Sequence, residues 1–422
     1  MNKKVFAGVL AAVMAVSSSF MGYADSIGME PGQIPPQETE AVSATVSAGE
    51  AGSQSSTVTV GGGQASGPVG SHGSPGVVGA GLAGGIGPGG SGLSQVSRGV
   101  DGFAGTLQNP VVKVTGKYTY DQMSQDIWEL SSRYGGRMQV NTIGITHDGR
   151  NLYEIIVGNP NAEKHVLIHA GIHGREYMTP LLVMKQLEYA LYFYDSGSFE
   201  GRSLSDMFGQ AALHVVPMVN PDGISISQNG IDGLHSSALK DVVRQCYNND
   251  ISQGRTSMAF DRYLQYWKAN GRGVDLNQNF PADWEQVTSS ALPSYGAYKG
   301  DSPVSEPESQ ALYHLMNSRS WVAAISYHSM GNIIYWDYTG NMVYNQSLDL
   351  ANAISSRTGY RLAGSSGHGG FKDWLQIKES PVPGLTLEVG GVICPMPVTE
   401  FTDVWNRNQA VWAALMKWAI EY

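Results

Sequence analysis

Three residues of the chain carry side chains that together could hold a metal ion. His173 and Glu176 lie three residues apart in a segment that follows an apolar strand, and His328 ends a second apolar strand. Two imidazoles and one carboxylate bind zinc and leave its fourth position for water, which is the pattern of catalytic zinc sites. The pair alone is weak evidence, because roughly 0.4 such pairs would arise by chance in a chain with this histidine content. His328 alone would fit a buried structural histidine.

A fourth residue, Glu388, lies within the apolar run at residues 385–389. A carboxylate in such a strand is costly unless it has a partner. One interpretation is a buried ion pair. The other is a general base beside the zinc, which would accept a proton from the bound water. Three further histidines fall in predicted strands, and there we expect structural roles: His165, His169 and His214.

The segments that carry these residues indicate an α/β domain. Apolar and β-branched runs predict strands at residues 140–146, 152–157, 165–170, 213–219, 322–327, 333–338 and 385–389. Periodicity and capping patterns predict helices at residues 120–134, 181–194, 307–317 and 402–420. Thr179 would be the N-cap of the second helix, and Ser305 would begin a capping box for the third. Alternating strands and helices form a largely buried sheet, and chemistry gathers where its strands end in loops.

The first 112 residues have a different composition. Lys3 and Lys4 precede an apolar run at residues 5–16, and small and polar residues follow, which predicts a secretory signal peptide at residues 1–24. The alternative is an uncleaved membrane anchor, for which the apolar run is short. Residues 25–112 are rich in Gly, Ser, Pro, Val and Ala, so we expect a disordered tether, or a segment that orders on binding. The catalytic domain would then occupy residues 113–422.

Net charge and cysteine content argue against other classes of protein. The formal net charge is −10, and removal of the signal peptide takes away two lysines and no acids, which leaves −12. Such an acidic protein is a poor candidate for sequence-independent binding of nucleic acid. The sequence leaves open whether Cys246 and Cys394 pair. We expect an exported bacterial protein, secreted or associated with the cell wall, that is monomeric and has no stable membrane span after signal cleavage.

Four ordered blocks of the chain resemble the zinc metallocarboxypeptidases over about residues 116–422. The blocks are His173-x-x-Glu176, the Gly-Val-Asp-Leu-Asn segment at 273–277, His328-Ser329, and Glu388 in a Thr-x-Glu-Val-Gly setting. The Asn-Pro-Asp-Gly segment at 220–223 is also similar to a segment of that family. A match in several ordered blocks is far more specific than any one of them.

The resemblance implies a mixed, twisted eight-stranded sheet flanked by helices. It implies one zinc ion on His173, Glu176 and His328, with Glu388 as the base. It further implies that Arg175 contacts the substrate near the scissile bond. Asp275 would hold the ring of His173 from behind.

Three positions depart from the pattern of typical members. Asn277 is followed by Gln278, where an arginine would complete an Asn–Arg pair that binds the terminal carboxylate of the substrate. Glutamine cannot form the bidentate ion pair that arginine forms. Ser365 stands where the resemblance places a tyrosine that closes over the substrate. Lys268, or the nearby Arg272, stands in for the arginine that polarises the scissile carbonyl.

The segment at residues 267–275 resembles a bacterial branch of the family, whose members cut γ-D-glutamyl-diaminopimelate bonds in peptidoglycan stem peptides. We therefore expect a secreted zinc peptidase that acts on such peptides. One alternative is a conventional carboxypeptidase that removes C-terminal residues. Another is an inactive wall-binding module on the same fold. His368, in a Gly/Ser loop, is a further candidate for a substrate contact.

Overall fold

The computed structural model describes residues 107–365, 367–391 and 393–422. The predicted signal peptide and residues 25–106 of the predicted tether lie outside the described residues. Residues 107–112, in contrast, belong to the folded domain. Val111 and Val112 are buried in the main core, and their amides donate to the buried carboxylate of Glu188 at 2.7 and 2.9 Å. The boundary predicted at residue 113 is therefore too late, because apolar side chains ahead of it are already anchored.

The strands of the described residues are β1 (Met138–Ile145), β2 (Asn151–Gly158), β3 (Lys164–Ala170), β4 (Ser198–Phe199), β5 (Arg202–Ser203), β6 (Ala211–Val216), β7 (Ala323–His328), β8 (Ile333–Asp337), β9 (Arg361–Gly364) and β10 (Gly384–Glu388). Eight of them form one mixed sheet in the order β1-β2-β6-β3-β7-β10-β8-β9, while β4 pairs with β5. Strands β6, β3, β7 and β10 are parallel to one another. Their carboxyl ends therefore meet at one edge of the sheet, where ligands bind in such folds.

The helices are α1 (Tyr120–Arg133), α2 (Met178–Tyr192), α3 (Leu204–Gln210), α4 (Pro221–Asn229), α5 (Ser237–Ser252), α6 (Phe260–Gln265), α7 (Pro307–Asn317), α8 (Tyr344–Thr358), α9 (Phe371–Ile377), α10 (Phe401–Asn408) and α11 (Val411–Glu421). Apolar side chains from α2, α10 and α11 fill one core with Ile168 and Tyr327, while α9 fills a second core with Leu167 and Ala324. Adjacent residues of one strand thus point into different cores, so both faces of the sheet are covered. The expected α/β fold, an eight-stranded sheet flanked by helices, is confirmed. Within the described part of the chain, none of the helices reaches the length and apolarity of a membrane span.

The C-terminal helix predicted at residues 402–420 is two helices, α10 and α11. The carbonyl of Asn408 accepts a hydrogen bond from the side chain of Gln186 at 2.6 Å. The Asn408 side chain also donates to Tyr360 Oη at 2.8 Å. A buried polar contact has therefore replaced a bond of the helical ladder at the break, which periodicity alone does not show.

Two capping predictions are wrong in detail. Helix α2 begins at Met178, and Thr179 Oγ1 accepts from the amide of Gly171 at 3.1 Å and donates to the carbonyl of Glu176 at 2.9 Å. Thr179 thus fixes the turn before the helix rather than capping it. Helix α7 has no side-chain cap either, because the Ser305 hydroxyl donates to the carboxylate of Glu306 at 2.9 Å.

The strand predicted at residues 213–219 is also shorter than expected and ends at Val216. The Asn-Pro-Asp-Gly segment after it begins helix α4. Asn220 is the N-cap, since its Oδ1 accepts from the amide of Gly223 at 2.8 Å. This helix packs against the turn that carries the metal-ligand candidates.

Candidate metal centre

His173 and Glu176 lie on a short turn that follows β3. His173 is the N-cap of a 3-10 turn that begins at Gly174. A Cβ on Gly174 would lie 2.4 Å from the carbonyl oxygen of Gly223, and the amide of Gly174 donates to the carbonyl of Lys268 at 3.0 Å. Only glycine fits this close approach. This tight packing fixes the backbone that carries the side chains of His173 and Glu176.

His328 meets this turn because it ends β7, the parallel neighbour of β3. The Nδ1 atoms of His173 and His328 lie 3.2 Å apart. Oε1 of Glu176 lies 2.7 Å from Nδ1 of His173, and Oε2 lies 3.2 Å from Nδ1 of His328. All three side chains are buried, and no second group of this kind occurs in the described part of the chain. Two nitrogens and a carboxylate that converge in this way fit a zinc ion and leave one position for water.

The carboxyl group of Glu176 is held in its ionised form. Burial disfavours its charge, but the neighbouring imidazoles of His173 and His328 outweigh that effect and hold its pKa well below the usual value. The amide of Ser329 also donates to Oε2 of Glu176 at 3.2 Å. The sequence pattern does not predict this contact, and its one signal is the position of Ser329 directly after His328.

Asp275 connects His173 with Lys268. Its Oδ1 lies 3.2 Å from Nε2 of His173, and its Oδ2 lies 3.2 Å from Nζ of Lys268. Burial disfavours the charge of Asp275, but Lys268 and His173 outweigh burial and hold its pKa well below the ordinary value. An anion on the far nitrogen of a histidine orients the ring so that the near nitrogen faces the metal. Asp275 has the position that this role requires.

The two candidates for the oxyanion-stabilising cation lie in different surroundings. The Lys268 side chain is only 20% exposed and contacts Asp275, which in turn contacts the ligand His173. The Arg272 side chain is 46% exposed, and its NH1 lies 3.9 Å from Oε1 of Glu306. The structure therefore brings Lys268 next to the metal centre and directs Arg272 to another carboxylate.

Glu388 is the last residue of β10, and its register partner on β7 is His328. On the other side its register partner is Ile333 of β8. Register partners on neighbouring strands project from the same face of a sheet, and such strands lie about 4.8 Å apart. Glu388 is half-buried. The Glu388 side chain therefore leaves the sheet next to that of His328. A general base at this position would be close enough to accept a proton from a zinc-bound water.

Asn277 and Gln278 lie in the turn directly after Asp275. The amide of Asn277 donates to Oδ1 of Asp275 at 3.2 Å, and Oδ1 of Asn277 accepts from the amide of Phe371 at 3.1 Å. Oε1 of Gln278 is buried and has no hydrogen-bond partner among the described residues. The two amides thus lie between the metal-centre turn and the start of α9.

Ser365 and His368 lie in the loop between β9 and α9. The amide of Ser365 donates to the carbonyl of Asp337 at 3.0 Å. Nδ1 of His368 lies 2.8 Å from Tyr338 Oη, which donates to Oδ2 of Asp283 at 2.6 Å. These contacts fasten the loop to the end of β8 rather than to the metal ligands. No local sequence pattern predicts the contact between Tyr338 and Asp283, because the two residues are far apart in the chain.

Arg175 lies on the turn between the two ligands His173 and Glu176. Its carbonyl accepts from Sγ of Cys394 at 3.8 Å. Cys246 and Cys394 are both buried and both free, so the two cysteines form no disulfide. Cys394 therefore packs behind the ligand turn.

The strand histidines lie in buried polar contacts. Nδ1 of His165 lies 2.8 Å from Nε2 of His214, whose Nδ1 lies 2.7 Å from Oε1 of Glu154. Nε2 of His169 lies 2.6 Å from the hydroxyl of Ser326. Partners of this kind satisfy polar groups inside a core. The contacts agree with the structural roles expected for these histidines.

Comparison with known proteins gives a family. Residues 123–381 match the sequence model of Peptidase M14, described as zinc carboxypeptidase. The chain is 31% identical over 301 residues to "Gamma-D-glutamyl-L-diamino acid endopeptidase 1" of Lysinibacillus sphaericus, which covers 70% of this chain and 72% of that protein. It is 30% identical over 280 residues to the uncharacterized protein YqgT of Bacillus subtilis (strain 168), which covers 65% and 70% of the two chains.

Solved structures show the same fold. A crystal structure of thrombin activatable fibrinolysis inhibitor matches with a TM-score of 0.57 at 19% identity, and it covers 74% of this chain and 77% of that chain. The family match includes the segments of His173, Glu176 and His328, whose nitrogen and oxygen atoms converge as a zinc site requires. The chain therefore belongs to the zinc carboxypeptidase family of metallopeptidases, and its cofactor is zinc.

Proposed function

We propose that this protein hydrolyses the bond between a γ-D-glutamyl residue and a diamino acid in peptidoglycan stem peptides. The observation that carries the proposal is the 31% identity over 301 residues to a protein named for that activity. The site adds support through Gln278, which stands where the resemblance places a carboxylate-binding arginine. Without that cation, the site has lost the ion pair by which a free C-terminus is selected.

The residues around the zinc divide the chemistry between them. Zinc held by His173, Glu176 and His328 would polarise the scissile carbonyl and lower the pKa of a water molecule. Glu388, beside His328 on the sheet, accepts a proton from the attacking water at its carboxylate. The same carboxylate then delivers the proton to the leaving amine.

Lys268 supplies the positive charge for the scissile carbonyl oxygen. Its Nζ is held 3.2 Å from Oδ2 of Asp275. From this position Lys268 donates a hydrogen bond to the scissile carbonyl oxygen as negative charge develops on that oxygen. Asp275 also contacts the ring of His173. One buried carboxylate therefore positions both the cation and a metal ligand.

The proposal includes export of the enzyme to the cell wall, where stem peptides occur. It rests on the signal-peptide pattern at residues 1–24 and on the tether composition that follows. In this arrangement the tether would give the folded domain reach along the wall. The mass of the secreted protein, compared with the mass calculated for the full sequence, tests cleavage after Ala24.

Digestion of defined peptides tests the proposed activity. We expect the purified protein to release the diamino acid from L-Ala-γ-D-Glu-diaminopimelate peptides, read by mass spectrometry. Chelation should abolish release, and added zinc should restore it. An isomer with an ordinary α-L-glutamyl bond should be cut far more slowly. Cleavage of the α-linked isomer alone would show a conventional carboxypeptidase, and zinc binding without turnover of either isomer would favour an inactive wall-binding module.

A further inference from the structure

The side chain of Asn220 joins three segments of the chain beside the metal centre. Asn220 is fully buried. Its Nδ2 donates to the carbonyls of Ile172 and Ala269, both at 3.0 Å, and its Oδ1 accepts from the amide of Gly223 at 2.8 Å. Both N–H groups of Nδ2 are therefore used, and a flipped amide would place its oxygen against two carbonyl oxygens. The partners thus fix the orientation of the amide.

The two carbonyls belong to the immediate neighbours of two residues in the proposed mechanism. Ile172 precedes His173, and Ala269 follows Lys268. The same two segments also share a direct hydrogen bond, from the amide of Gly174 to the carbonyl of Lys268 at 3.0 Å. The buried amide therefore adds two hydrogen bonds to the one that holds the lysine segment against the turn of the metal-ligand candidates.

Backbone packs directly against backbone around this amide. A Cβ on Gly223 would lie 2.3 Å from the carbonyl oxygen of Ala269, and a Cβ on Gly174 would lie 2.4 Å from the carbonyl oxygen of Gly223. Segments packed this closely transmit a shift of one to the others. Without the amide, the carbonyls of Ile172 and Ala269 would be buried with no donor, which is unfavourable. The two segments would then have to move apart until water reached those oxygens.

We propose that Asn220 is a positioning residue of the reaction, which sets the place of Lys268 relative to the turn that carries His173. Lys268 has to reach the scissile carbonyl oxygen while that group faces the metal centre, so the spacing of the two segments decides how well the developing charge is stabilised. Asn220 is also the N-cap of α4, but capping uses only its Oδ1 and does not account for the two bonds of Nδ2. This inference rests on the proposed role of Lys268.

Asn220→Ser separates the two roles of the side chain. A serine hydroxyl can still accept from the amide of Gly223 and cap the helix, but it cannot donate to two carbonyls. We expect kcat to fall by about tenfold or more at full zinc loading with little change in KM, because a small misplacement of a catalytic group costs that much. Asn220→Asp keeps the shape and the cap but turns an acceptor toward both carbonyls, so its loss of kcat should be at least as large.

A double-mutant cycle with Lys268→Ala tests whether Asn220 acts through the lysine. In the Lys268→Ala protein, Asn220→Ser should change kcat by less than about twofold, since the group that it positions is gone. The same loss in both backgrounds would overturn the inference alone, because a merely structural asparagine matters whether or not the lysine is present. Normal turnover by Lys268→Ala would instead refute the proposed cation, and the inference with it. Any peptide that the wild type cleaves serves for the cycle, so the cycle does not depend on which bond is cut.

Asn408→Ser is the matched control. Asn408 is also fully buried, and its Nδ2 donates to Tyr360 Oη and to the carbonyl of Val404, both at 2.8 Å. This variant should lower Tm about as much as Asn220→Ser and leave kcat per folded molecule unchanged. An equal fall of kcat in the two variants at full zinc content would point to lost stability rather than lost position, which would contradict the inference.

Hydrogen exchange in the zinc-free protein gives a readout that needs no turnover. The amide of Gly174 donates to the carbonyl of Lys268, so its exchange reports how firmly the lysine segment is held against the turn. We expect this exchange, followed by mass spectrometry of the segment at residues 172–177, to be at least about tenfold faster in Asn220→Ser than in the wild type. It should be unchanged in Asn408→Ser. Wild-type exchange in Asn220→Ser would overturn the inference even if none of the proposed peptides were a substrate.

Discussion

Glu388 and His328 are register partners at the ends of two parallel strands, β10 and β7. One residue is a metal-ligand candidate and the other is the proposed base, so hydrogen bonds of the sheet itself set their separation. Their spacing therefore does not depend on the conformation of a loop. Because Glu388 lies on a different strand from the metal-ligand candidates, it can be replaced without removing a ligand.

We predict that Glu388→Gln lowers kcat by roughly 10²–10⁴-fold, because the amide cannot accept the proton of the attacking water. The zinc content, measured by metal analysis, should stay at one ion per chain, since Glu388 is not among the ligands. Glu379→Gln is the control, as Glu379 is exposed. Near-normal turnover in Glu388→Gln would refute the mechanism.

Lys268→Ala should lower kcat by roughly 10²–10³-fold with little change in KM, because its charge acts on the oxygen that becomes negative. Lys268→Arg should retain more activity than Lys268→Ala. Arg272→Ala should change kcat/KM by less than about fivefold, since the half-exposed arginine is only loosely paired, with its NH1 3.9 Å from the buried Glu306, and is not directed to the metal ligands. Steady-state kinetics of the three variants measure this, and an equal loss in Lys268→Ala and Arg272→Ala would contradict the assignment.

Asp275→Asn should weaken zinc binding by about 10–100-fold, because the ring of His173 loses the anion on its far nitrogen. Competition with a chromophoric chelator measures the affinity. Asp121→Asn, at an exposed position of α1, provides a matched control. Unchanged zinc affinity in Asp275→Asn would show that the contact with His173 does not orient the ligand.

Much of this site can be predicted from the sequence, because the chemistry lies at the ends of apolar strands. The runs of β-branched and aliphatic residues near His173, His328 and Glu388 are long enough to show where each strand ends. Since chemistry gathers where the strands of such a sheet end in loops, the sequence predicts that these residues belong to one site. Local patterns of this kind carry information about ends and faces, which is what a metal centre on a sheet edge needs.

The choice between Lys268 and Arg272 could not be made in the same way. The two residues are four positions apart in a loop, and their directions depend on a turn in which Gly273 has a φ of 77°. The predicted Thr179 cap failed for a related reason, as its hydroxyl is used by the ligand turn instead. The partner that a polar side chain takes at such a turn depends on the path of the backbone around it, and periodicity does not report that path.

The cysteines should be chemically inert in the folded protein. Burial raises the pKa of the Cys394 thiol to about 12, and Cys246 is buried as well, so thiolate is scarce at both. Iodoacetamide at about pH 8 should add no mass to the native protein and two carbamidomethyl groups in denaturant. The Tm should not change with a reducing agent. Labelling of the native protein, or a Tm that falls on reduction, would contradict this.

Glu308 should make stability fall as the pH rises. Burial first, then the charges of Asp222 and Glu306, raises the pKa of Glu308 from 4.5 to about 8. The folded state therefore keeps a proton that the unfolded state releases, so the contribution of Glu308 is fully present below about pH 4.5 and is lost as the pH passes about 8. We expect the free energy of unfolding of the wild type to fall between about pH 6 and pH 9 by on the order of 2 kcal/mol more than that of Glu308→Gln. Denaturant unfolding at both values measures the difference, with the exposed Glu285→Gln as the control. Parallel curves for the wild type and Glu308→Gln would mean that Glu308 is ionised throughout, and the carboxyl would then need a cation that its present neighbours Asp222, Glu306 and Asn270 do not supply.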